Sequence, residues 1–485
     1  MARINIRDLP SQASTGRFPQ KTGAVTLRSR SYTFRENGHR IVNPKQTIQR
    51  MRTVLRRNRI RFSFQRVRPE ARNRLDKHFF VHKVSSDCLY DNFGKDYALG
   101  KGLTSEQSVV SGLCELIERF SALLRPEDQF LRASTHEIEK QGRPILHPRL
   151  MGLPGPDLIA RKKLDPFDEG RSIDWTAGWH LIHHKPALVP TGFSHLFPYN
   201  ADGAPNRLVE NRPNGLAAGN CLEEAILQGI LELVERDAQA IFIWNQLPMP
   251  EIDPATLPRK KNPALLQALM AVQASGLKLI LKDITSDIGI PTIYAFGIDE
   301  SEKGPAFQWG VGAHLEPAIA VSRALTELIQ VRTILTRFKK AMPRNIEEHY
   351  SQRWLLDHEE AFRTLRFCHL DAWESVRYIT RARQTISLKE MDDLSHQDLL
   401  AEIRCCLERI TAAGLTDVIV VNHTRAGLDF PVVRILIPGM EFIPWVDYDI
   451  QNPAGRRLAI VPPALHYRPS IDYVFGSGRE SNLLL

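Results

Sequence analysis

The segment CLEEAILQGILELVERDA, residues 221–238, decides how the rest of the chain is read. Leu222, Ile226, Ile230, Leu233 and Val234 recur at the spacing of one helical face. At about 100° per residue, Asn220, Glu224, Gln228 and Glu235 form a second stripe, with Glu232 beside it. Glu223 and Asp237 add further acid, and Arg236 is the single basic residue. An acidic stripe is ordinarily a solvated helix face. Such a face mixes Lys with Glu at i,i+4, and this one holds no Lys. Its flanks are apolar and small, as though the helix were mostly buried. Carboxylates gathered in that setting repel one another and resist ionisation unless cations stand between them.

The pattern occurs earlier as well. LCELIERFSA (113–122) and ILELVERDA (230–238) share E-L-[IV]-E-R, and SVVSGL (108–113) precedes the first as AILQGI (225–230) precedes the second. Ser111, Glu115, Glu118 and Arg119 share one face of the earlier helix, at i, i+4, i+7 and i+8. A twice-used helix of this kind suggests a duplicated unit. Mg²⁺ is the natural counter-charge, because it prefers carboxylate oxygens and brings phosphates and waters with it. Arg119, Arg236 and Arg323 could neutralise phosphate directly. No Walker A sequence is present, and LGKGLTS (99–105) is a weak glycine-loop signal.

Composition sets the frame around these helices. The chain has 485 residues, 43% apolar and 25% charged, enough for a large core and for two to four domain-sized units. No apolar run approaches the roughly 20 residues of a membrane span, and the N-terminus lacks a secretory h-region, so a cytoplasmic location is expected. Asp8, Pro10 and Pro19 interrupt any amphipathic presequence there. The net charge of +9 divides unevenly: residues 1–77 hold 20 Lys/Arg against 4 Asp/Glu, leaving 44 against 51 in the remainder. That basic region reads either as an attractor for an acidic peptide, acidic protein or nucleic acid, or as a solubilising arm. The six cysteines form no CxxC pair and read as reduced thiols. HLIHH (180–184) has no acidic residue nearby in sequence and reads as surface or core histidines, and Trp175, Trp179, Trp244 and Trp309 read as core or peptide-groove residues.

Elements interleave along the chain. PKQTIQRMRTVLRRN (44–58) reads as a basic amphipathic helix with Ile48, Met51 and Leu55 on one face. GLTSEQSVVSGLCELIERFSALL (102–124) follows, with Thr104 or Ser105 as N-cap, and 317–335 is a third strong helix. LKLILKDI and IPTIYAFGI read as buried strands, DVIVVNHT and VVRILIP as late strands, 145–215 as strands and loops, and 340–400 as helical. The class is therefore α+β or α/β. Expected units are an unstructured basic arm over 1–38, a basic helical segment over 39–78, one catalytic domain over 79–470 and a tail over 471–485.

Four motifs in order, GKGLTSEQSVVSGLCELIER, NGLAAGNCLEEAILQGILELVERDA, LKDITSDIGIPTIYAF and GVGAHLEPAIAVSRALTELIQ, resemble the YcaO family over roughly residues 40–445. The resemblance implies a YcaO-type α+β fold with duplicated helix-on-sheet units around a nucleotide site, and ATP and Mg²⁺ as cofactors. Its SxxxExxER pattern falls on Ser111, Glu115, Glu118 and Arg119, and NxxxE…ExxER on Asn220, Glu224, Glu232, Glu235 and Arg236. Arg40, Thr47 and Arg323 match the family's other nucleotide-facing positions. ATP contacts are thus expected at Arg40, Thr47, Ser111, Arg119, Asn220, Arg236 and Arg323, and Mg²⁺ at Glu115, Glu118, Glu224, Glu232 and Glu235. No general acid or base is assigned.

In the implied reaction a nucleophile adds to a backbone amide carbonyl of a peptide or protein. The resulting oxyanion takes the γ-phosphate, and phosphate then leaves with the former amide oxygen. An external sulfur donor, often with a TfuA-type partner, gives a thioamide, whereas a neighbouring Cys, Ser or Thr gives an azoline. Azoline-forming members typically end in a PxPxP tail. This chain has VPPALHYRPS but ends RESNLLL, and no fused ThiF-like or E1-like module is expected from its motifs. Thioamidation is preferred on that ground, with azoline cyclodehydration through a separate leader-binding partner as the alternative. A non-catalytic, substrate-recruiting scaffold is the third reading. Family habit implies a homodimer, and neither membrane nor nucleic acid is expected as a partner.

Overall fold

The computed structural model describes residues 24–68, 74–89, 95–125, 128, 130–156, 159–160, 164–196, 208–209, 212–257, 262–301, 304–341, 370–441 and 456–468. The strands are β1 (Phe62–Val67), β2 (Phe80–Ser86), β3 (Tyr97–Gly102), β4 (Leu131–Ala133), β5 (Ile173–His180), β6 (Lys185–Pro190), β7 (Leu216–Ala218), β8 (Glu251–Ile252), β9 (Lys278–Asp283), β10 (Thr292–Ile298), β11 (Phe307–Ala313), β12 (Thr385–Ile386), β13 (Ile419–Asn422) and β14 (Val432–Leu436). Helices longer than one turn are α1 (Pro44–Arg57), α2 (Ser105–Ala122), α3 (Thr135–Lys140), α4 (Leu222–Asn245), α5 (Pro263–Ala274), α6 (Pro317–Ala341), α7 (Leu399–Ala412) and α8 (Arg456–Ala464). Three sheets result, in the orders β1-β2-β3, β11-β10-β9-β8-β12 and β4-β5-β13-β14-β7, with β6 added beside β5. Mixed helices and sheets confirm the expected α+β class.

Helix starts follow the sequence signals. Asn43 caps α1 through a capping box with Gln46 and Pro44 in the first turn, and Thr104 caps α2 with Gln107 in the same way. The opening segment lies in α4, whose Glu223 and Glu224 complement the helix dipole at its first turn. Residues 370–398, expected to be helical, form only short turns and β12. The rest of that stretch, 342–369, lies outside the described residues.

The expected duplication is present, and the structure adds a third copy. β3–α2, β7–α4 and β11–α6 are three strand–helix units, and each helix packs on its own strand. Each also packs on the strand of another unit: α2 on β7, α4 on β11, and α6 on β3. The three units therefore close a ring. Glycine makes the contacts possible. A Cβ at Gly100 of β3 would lie 1.9 Å from Ser108 O, and one at Gly310 of β11 would lie 2.2 Å from Ala324 O. Only a residue without Cβ lets strand and helix approach so closely.

Two expected boundaries are corrected. Residues 24–38 of the supposed unstructured arm are pinned: Arg28 N–H and Arg30 Nε donate to Glu223 at 2.7 and 2.8 Å, Ser31 bridges Asp398, and Arg35 pairs with Glu316 at 2.8 Å. Basic side chains and backbone donors there meet fixed carboxylates, which supplies the order that composition alone did not indicate. Nor is 39–78 a separate unit. Met51, Leu55 and Ile60 share one buried cluster with Leu113, Leu116 and Ile117 of α2, and β1 belongs to the sheet of β2 and β3. Residues 1–23 and the tail 471–485 lie outside the described residues.

Candidate active site

The inward stripes of α2, α4 and α6 carry equivalent residues. Ser111, Gln228 and Arg323 correspond, as do Glu115, Glu232 and Glu327, and Glu118, Glu235 and Gln330. Eight of these nine residues keep partial exposure, and Glu235 is buried. The acidic stripes are therefore the lining of a shared interior, not an outer solvated face.

Links between units use these positions. Glu118 Oε1 accepts the Ala218 N–H at 2.7 Å, Glu235 Oε2 accepts the Ala313 N–H at 3.1 Å, and Gln330 Nε2 donates to Leu99 O. Glu232 Oε2 takes the Gly215 N–H at 3.2 Å. Cations pair with part of the set: Arg119 with Glu115, Lys101 with Glu327, and Arg236 Nη2 with Glu235 Oε1 at 3.2 Å. Glu118 and Glu232 form no ion pair among the described residues.

The electrostatics follow from that inventory. Burial pushes Glu118 up to about 8, with the charges of Glu232 and Glu115 acting in the same direction against the Ala218 N–H. Burial likewise pushes Glu232 up to about 7, although Arg236 opposes the shift. Glu235 is also raised by burial, while at Glu327 the charges of Lys101 and Arg236 overcome burial and hold the carboxyl low. Two carboxylates fixed by backbone donors, yet reluctant to ionise, are the donor set that a hydrated divalent cation fits. Among the described residues no three of these carboxylates bring ligand atoms within 4.8 Å of one another. That spacing suits Mg²⁺, which keeps waters and phosphate oxygens in its shell, better than an all-protein cage.

A cationic wall faces this acid. Gln228 Oε1 accepts from Arg323 Nη1 at 2.7 Å and from Arg40 Nη2 at 3.3 Å, so one amide oxygen holds two guanidiniums together. Burial lowers Arg323. Two adjacent guanidiniums with one neutral acceptor between them suit an anion such as phosphate. Thr47 Oγ1 donates to Asn220 Oδ1 at 3.1 Å, and Arg50 reaches the Asn220 carbonyl. Arg434 of β14 also looks toward Glu232, and burial lowers it to about 10.

All twelve residues expected at the site are described, and the structure divides them. Glu115, Glu118, Glu232, Glu235, Arg119, Arg236 and Arg323 lie on the inward stripes, and Arg40 joins them through Gln228. Ser111 is half-buried on α2. Glu224 has both oxygens occupied: Oε1 takes the Ile41 N–H at 2.6 Å, and Oε2 takes Asn220 N–H and Nδ2 at 2.8 and 3.0 Å. It clamps Asn220 and the N-terminal segment. The carboxylates of α4 thus have separate destinations: Glu223 and Glu224 hold residues 28–41, Glu232 and Glu235 line the interior, and Asp237 pairs with Arg457 at 2.8 Å.

Lys101, Gln228, Glu327 and Gln330 were missed as site residues. The signal was available, since TELIQ (326–330) repeats CELIE (114–118) with the second acid changed to an amide. HLIHH also gains a partner: His180 Nε2 stands 3.0 Å from Asp417 Oδ1, and with His183 the ligand atoms lie within 4.8 Å. Asp417 is 237 residues away, which hid it from sequence reading. His180 Nδ1 accepts the His183 N–H at 3.2 Å, so its ring already serves two hydrogen bonds. Among the described residues no helix is long and apolar enough to cross a membrane, and none of the five described cysteines is in a disulfide.

Comparison with known proteins places the fold in a family. The family model described as "YcaO cyclodehydratase, ATP- and Mg2+-binding" matches residues 99–441. An uncharacterized protein of Methanothermobacter thermautotrophicus is 31% identical over 343 residues, covering 70% of this chain and 81% of its own. An uncharacterized protein in the tfuA 3′ region of Rhizobium leguminosarum bv. trifolii is 29% identical, over 70% of this chain and 76% of its own. A heterocyclase in complex with substrate and cofactor shares the fold with a TM-score of 0.72 at 24% identity, over 92% of this chain. This chain spans only 58% of that heterocyclase. YcaO from Methanopyrus kandleri, bound with AMPPCP and Mg²⁺, has a TM-score of 0.60 at 24% identity, over 85% of this chain and 94% of its own. The chain is therefore a member of the YcaO family, with ATP and Mg²⁺ as its cofactors.

Proposed function

We propose that the ring interior is the nucleotide site of an enzyme that activates backbone amides of a ribosomally made peptide or protein. The single observation that carries the reading is the pair Glu118 and Glu232, raised to about 8 and about 7, opposite the Arg40–Gln228–Arg323 cluster. Bound there, ATP and Mg²⁺ supply the phosphoryl group that turns an amide oxygen into a leaving group. Glu115, Glu118, Glu232, Glu235 and Glu327 would hold Mg²⁺. Arg40, Arg119, Arg236 and Arg323 would orient the phosphates, and Thr47, Ser111 and Asn220 would complete the rim. Glu224 keeps Asn220 and Ile41 in register. A non-catalytic scaffold has no use for unpaired carboxylates held together against burial, which argues against that reading.

Thioamidation with a TfuA-type partner is the preferred reaction, supported by the relative from a tfuA region. Azoline formation through a separate ThiF-like or E1-like partner is the second reading, favoured by the family description and by the likeness to a heterocyclase. A homodimer in the cytoplasm is part of the proposal. The test is Mg²⁺-dependent ATP hydrolysis, followed by the intact mass of a candidate peptide co-expressed with the chain and its genomic neighbours. A gain of about 16 Da means thioamidation, and a loss of about 18 Da means cyclodehydration. Absence of ATP binding at millimolar concentration refutes the enzyme.

A further inference from the structure

The opposite side of the basic region is unused by this chemistry. β1 is an edge strand that pairs with β2 and, among the described residues, with nothing beyond it. The register sets Ser63, Gln65 and Val67 against Ser85, Lys83 and Val81. On β2 the Ser86 N–H points away from β1, to Asp96 O. Alternation in an antiparallel ladder then turns the N–H and C=O groups of Phe62, Phe64 and Arg66 to the free edge. Phe64 is 45% exposed and stands edge-on to His82.

The sequence that leads into and out of this edge is strongly basic, with Asp87 and Asp76 the acids that stand beside it. Residues 44–68 contain nine Lys/Arg and no Asp or Glu. Arg52, Arg56, Arg57 and Arg59 are exposed and form no ion pair with described residues. Arg61 and Arg68 reach Asp87 and Asp76 only at 3.7 and 3.9 Å. Edge strands are commonly protected by placing charge on the strand itself. Here the exposed strand positions, Ser63, Phe64 and Gln65, are uncharged, and the arginines flank them. The combination repels a basic or crowded neighbour and invites an acidic one. Residues 1–23 hold Arg3, Arg7, Arg17 and Lys21 against Asp8 alone, so the chain's own N-terminus is repelled.

We propose that β1 takes up an acidic, extended polypeptide segment by strand addition, using outward backbone groups for affinity and the flanking arginines for choice. As the place where a substrate or partner protein is held, the surface rests on the peptide-modifying reading above. A nucleic acid would use the arginines but not the backbone ladder.

The test uses the full chain without nucleotide, so that its failure is separate from failure of the ATP site. Fluorescence anisotropy is measured with labelled dodecapeptides of alternating Glu–Val and Lys–Val, and with a twelve-nucleotide oligo-dT. The Glu–Val peptide should bind at least about tenfold more tightly than either. Phe64→Ala keeps the outward N–H, and Phe64→Pro removes it without touching the bonds to β2. Phe64→Pro should therefore weaken binding about tenfold beyond Phe64→Ala, and the combined Arg56→Glu, Arg57→Glu, Arg59→Glu variant should abolish it. ATP hydrolysis should be unchanged in all of these. If Phe64→Pro does not fold, hydrogen exchange on the unmodified chain replaces it, with the Phe64 and Arg66 amides slowing when the peptide binds. Equal binding by Phe64→Pro and Phe64→Ala, unprotected amides, or oligo-dT binding as tight as Glu–Val would overturn the proposal.

Discussion

Glu235 Oε2 accepts the Ala313 N–H at 3.1 Å, tying the middle of α4 to the end of the strand that leads into α6. Its other oxygen meets Arg236 Nη2 at 3.2 Å. One carboxylate thus closes a joint of the ring and contributes charge to its interior. Glu118 closes the preceding joint by accepting the Ala218 N–H, without a cation. On the third joint the carboxylate is replaced by Gln330, whose amide donates to Leu99 O. Two acidic joints and one amide joint make the ring electrostatically lopsided. In the proposed function, the metal belongs on the acidic side and the phosphates toward Arg323 and Arg40.

Glu235→Gln should separate the two roles. The amide can still accept from Ala313, so far-ultraviolet circular dichroism and the melting temperature should stay close to those of the parent. Loss of the charge should lower ATP turnover by at least about 100-fold, the scale of removing one electrostatic contact to a reacting phosphoryl group. Glu224→Gln should behave differently. It turns one of the two accepting oxygens into an amide NH2, so either the Ile41 or the Asn220 contact is lost, and the N-terminal segment should become protease-sensitive while residual turnover remains. Normal turnover in Glu235→Gln would move the phosphate site elsewhere.

Mg²⁺ binding should depend on pH through Glu118 and Glu232. Their folded values, about 8 and about 7, lie above the ordinary carboxylate value. A raised carboxyl stabilises the protonated folded state, so that contribution is present at low pH and is lost as pH climbs through 7 to 8. The protein without Mg²⁺-ATP should therefore melt at lower temperature at pH 8.5 than at pH 6, and Mg²⁺-ATP should reduce the difference. Binding at pH 7 should release protons, read by calorimetry in buffers of different ionisation enthalpy. No proton release would mean that neither carboxyl meets the metal.

The helices and their acidic stripes were legible in the sequence because a 3.6-residue period, capping residues and absent lysines are local signals. Thr104 and Asn43 sit where the caps were expected or just outside the helix pattern. What was not legible is where each stripe points. Glu224 and Glu235 lie on one stripe of one helix, yet Glu224 meets residue 41 and Glu235 meets residue 313. Those partners are set by the ring closure, which no single helix encodes. Glu327 was hidden because its copy of the repeat has Gln330 and Val331 in place of the acid and arginine. The order of residues 24–38 was hidden because a basic, polar segment looks unstructured until the carboxylates it docks against are known.

Gly310→Ala tests the close packing that holds the ring. An added Cβ would lie 2.2 Å from both Ala324 O and Leu328 N, backbone atoms of α6 that cannot rotate away. Strand and helix must separate, and the cost of such overpacking is about 1–3 kcal/mol or more. The urea midpoint should fall accordingly. Turnover should drop more than the fraction unfolded accounts for, because α6 carries Arg323 and Glu327. A midpoint equal to the parent's would show that the approach of β11 and α6 is looser than described.

His39 gives the last prediction. It is buried, stacks on Tyr32, and its Nδ1 lies 2.6 Å from Glu402 Oε1, with Glu316 Oε2 3.5 Å from Nε2. Burial opposes a charged ring, but hydrogen bonds to Glu316 and Glu402 outweigh it and raise His39 above the ordinary histidine value. Charge on His39 therefore stabilises the docked N-terminal segment fully below about pH 6.5, and the benefit is lost as pH rises through the raised value. Since Arg40 is the next residue, loosening here should reach the Arg40–Gln228 contact. Limited trypsinolysis should cut after Arg28, Arg30 or Arg35 faster at pH 9 than at pH 6.5, after correction for the protease's own pH profile. His39→Gln should be cut quickly at both, with KM for ATP raised at both. Equal protection of the parent protein at the two pH values would show that the His39 charge does not hold the segment.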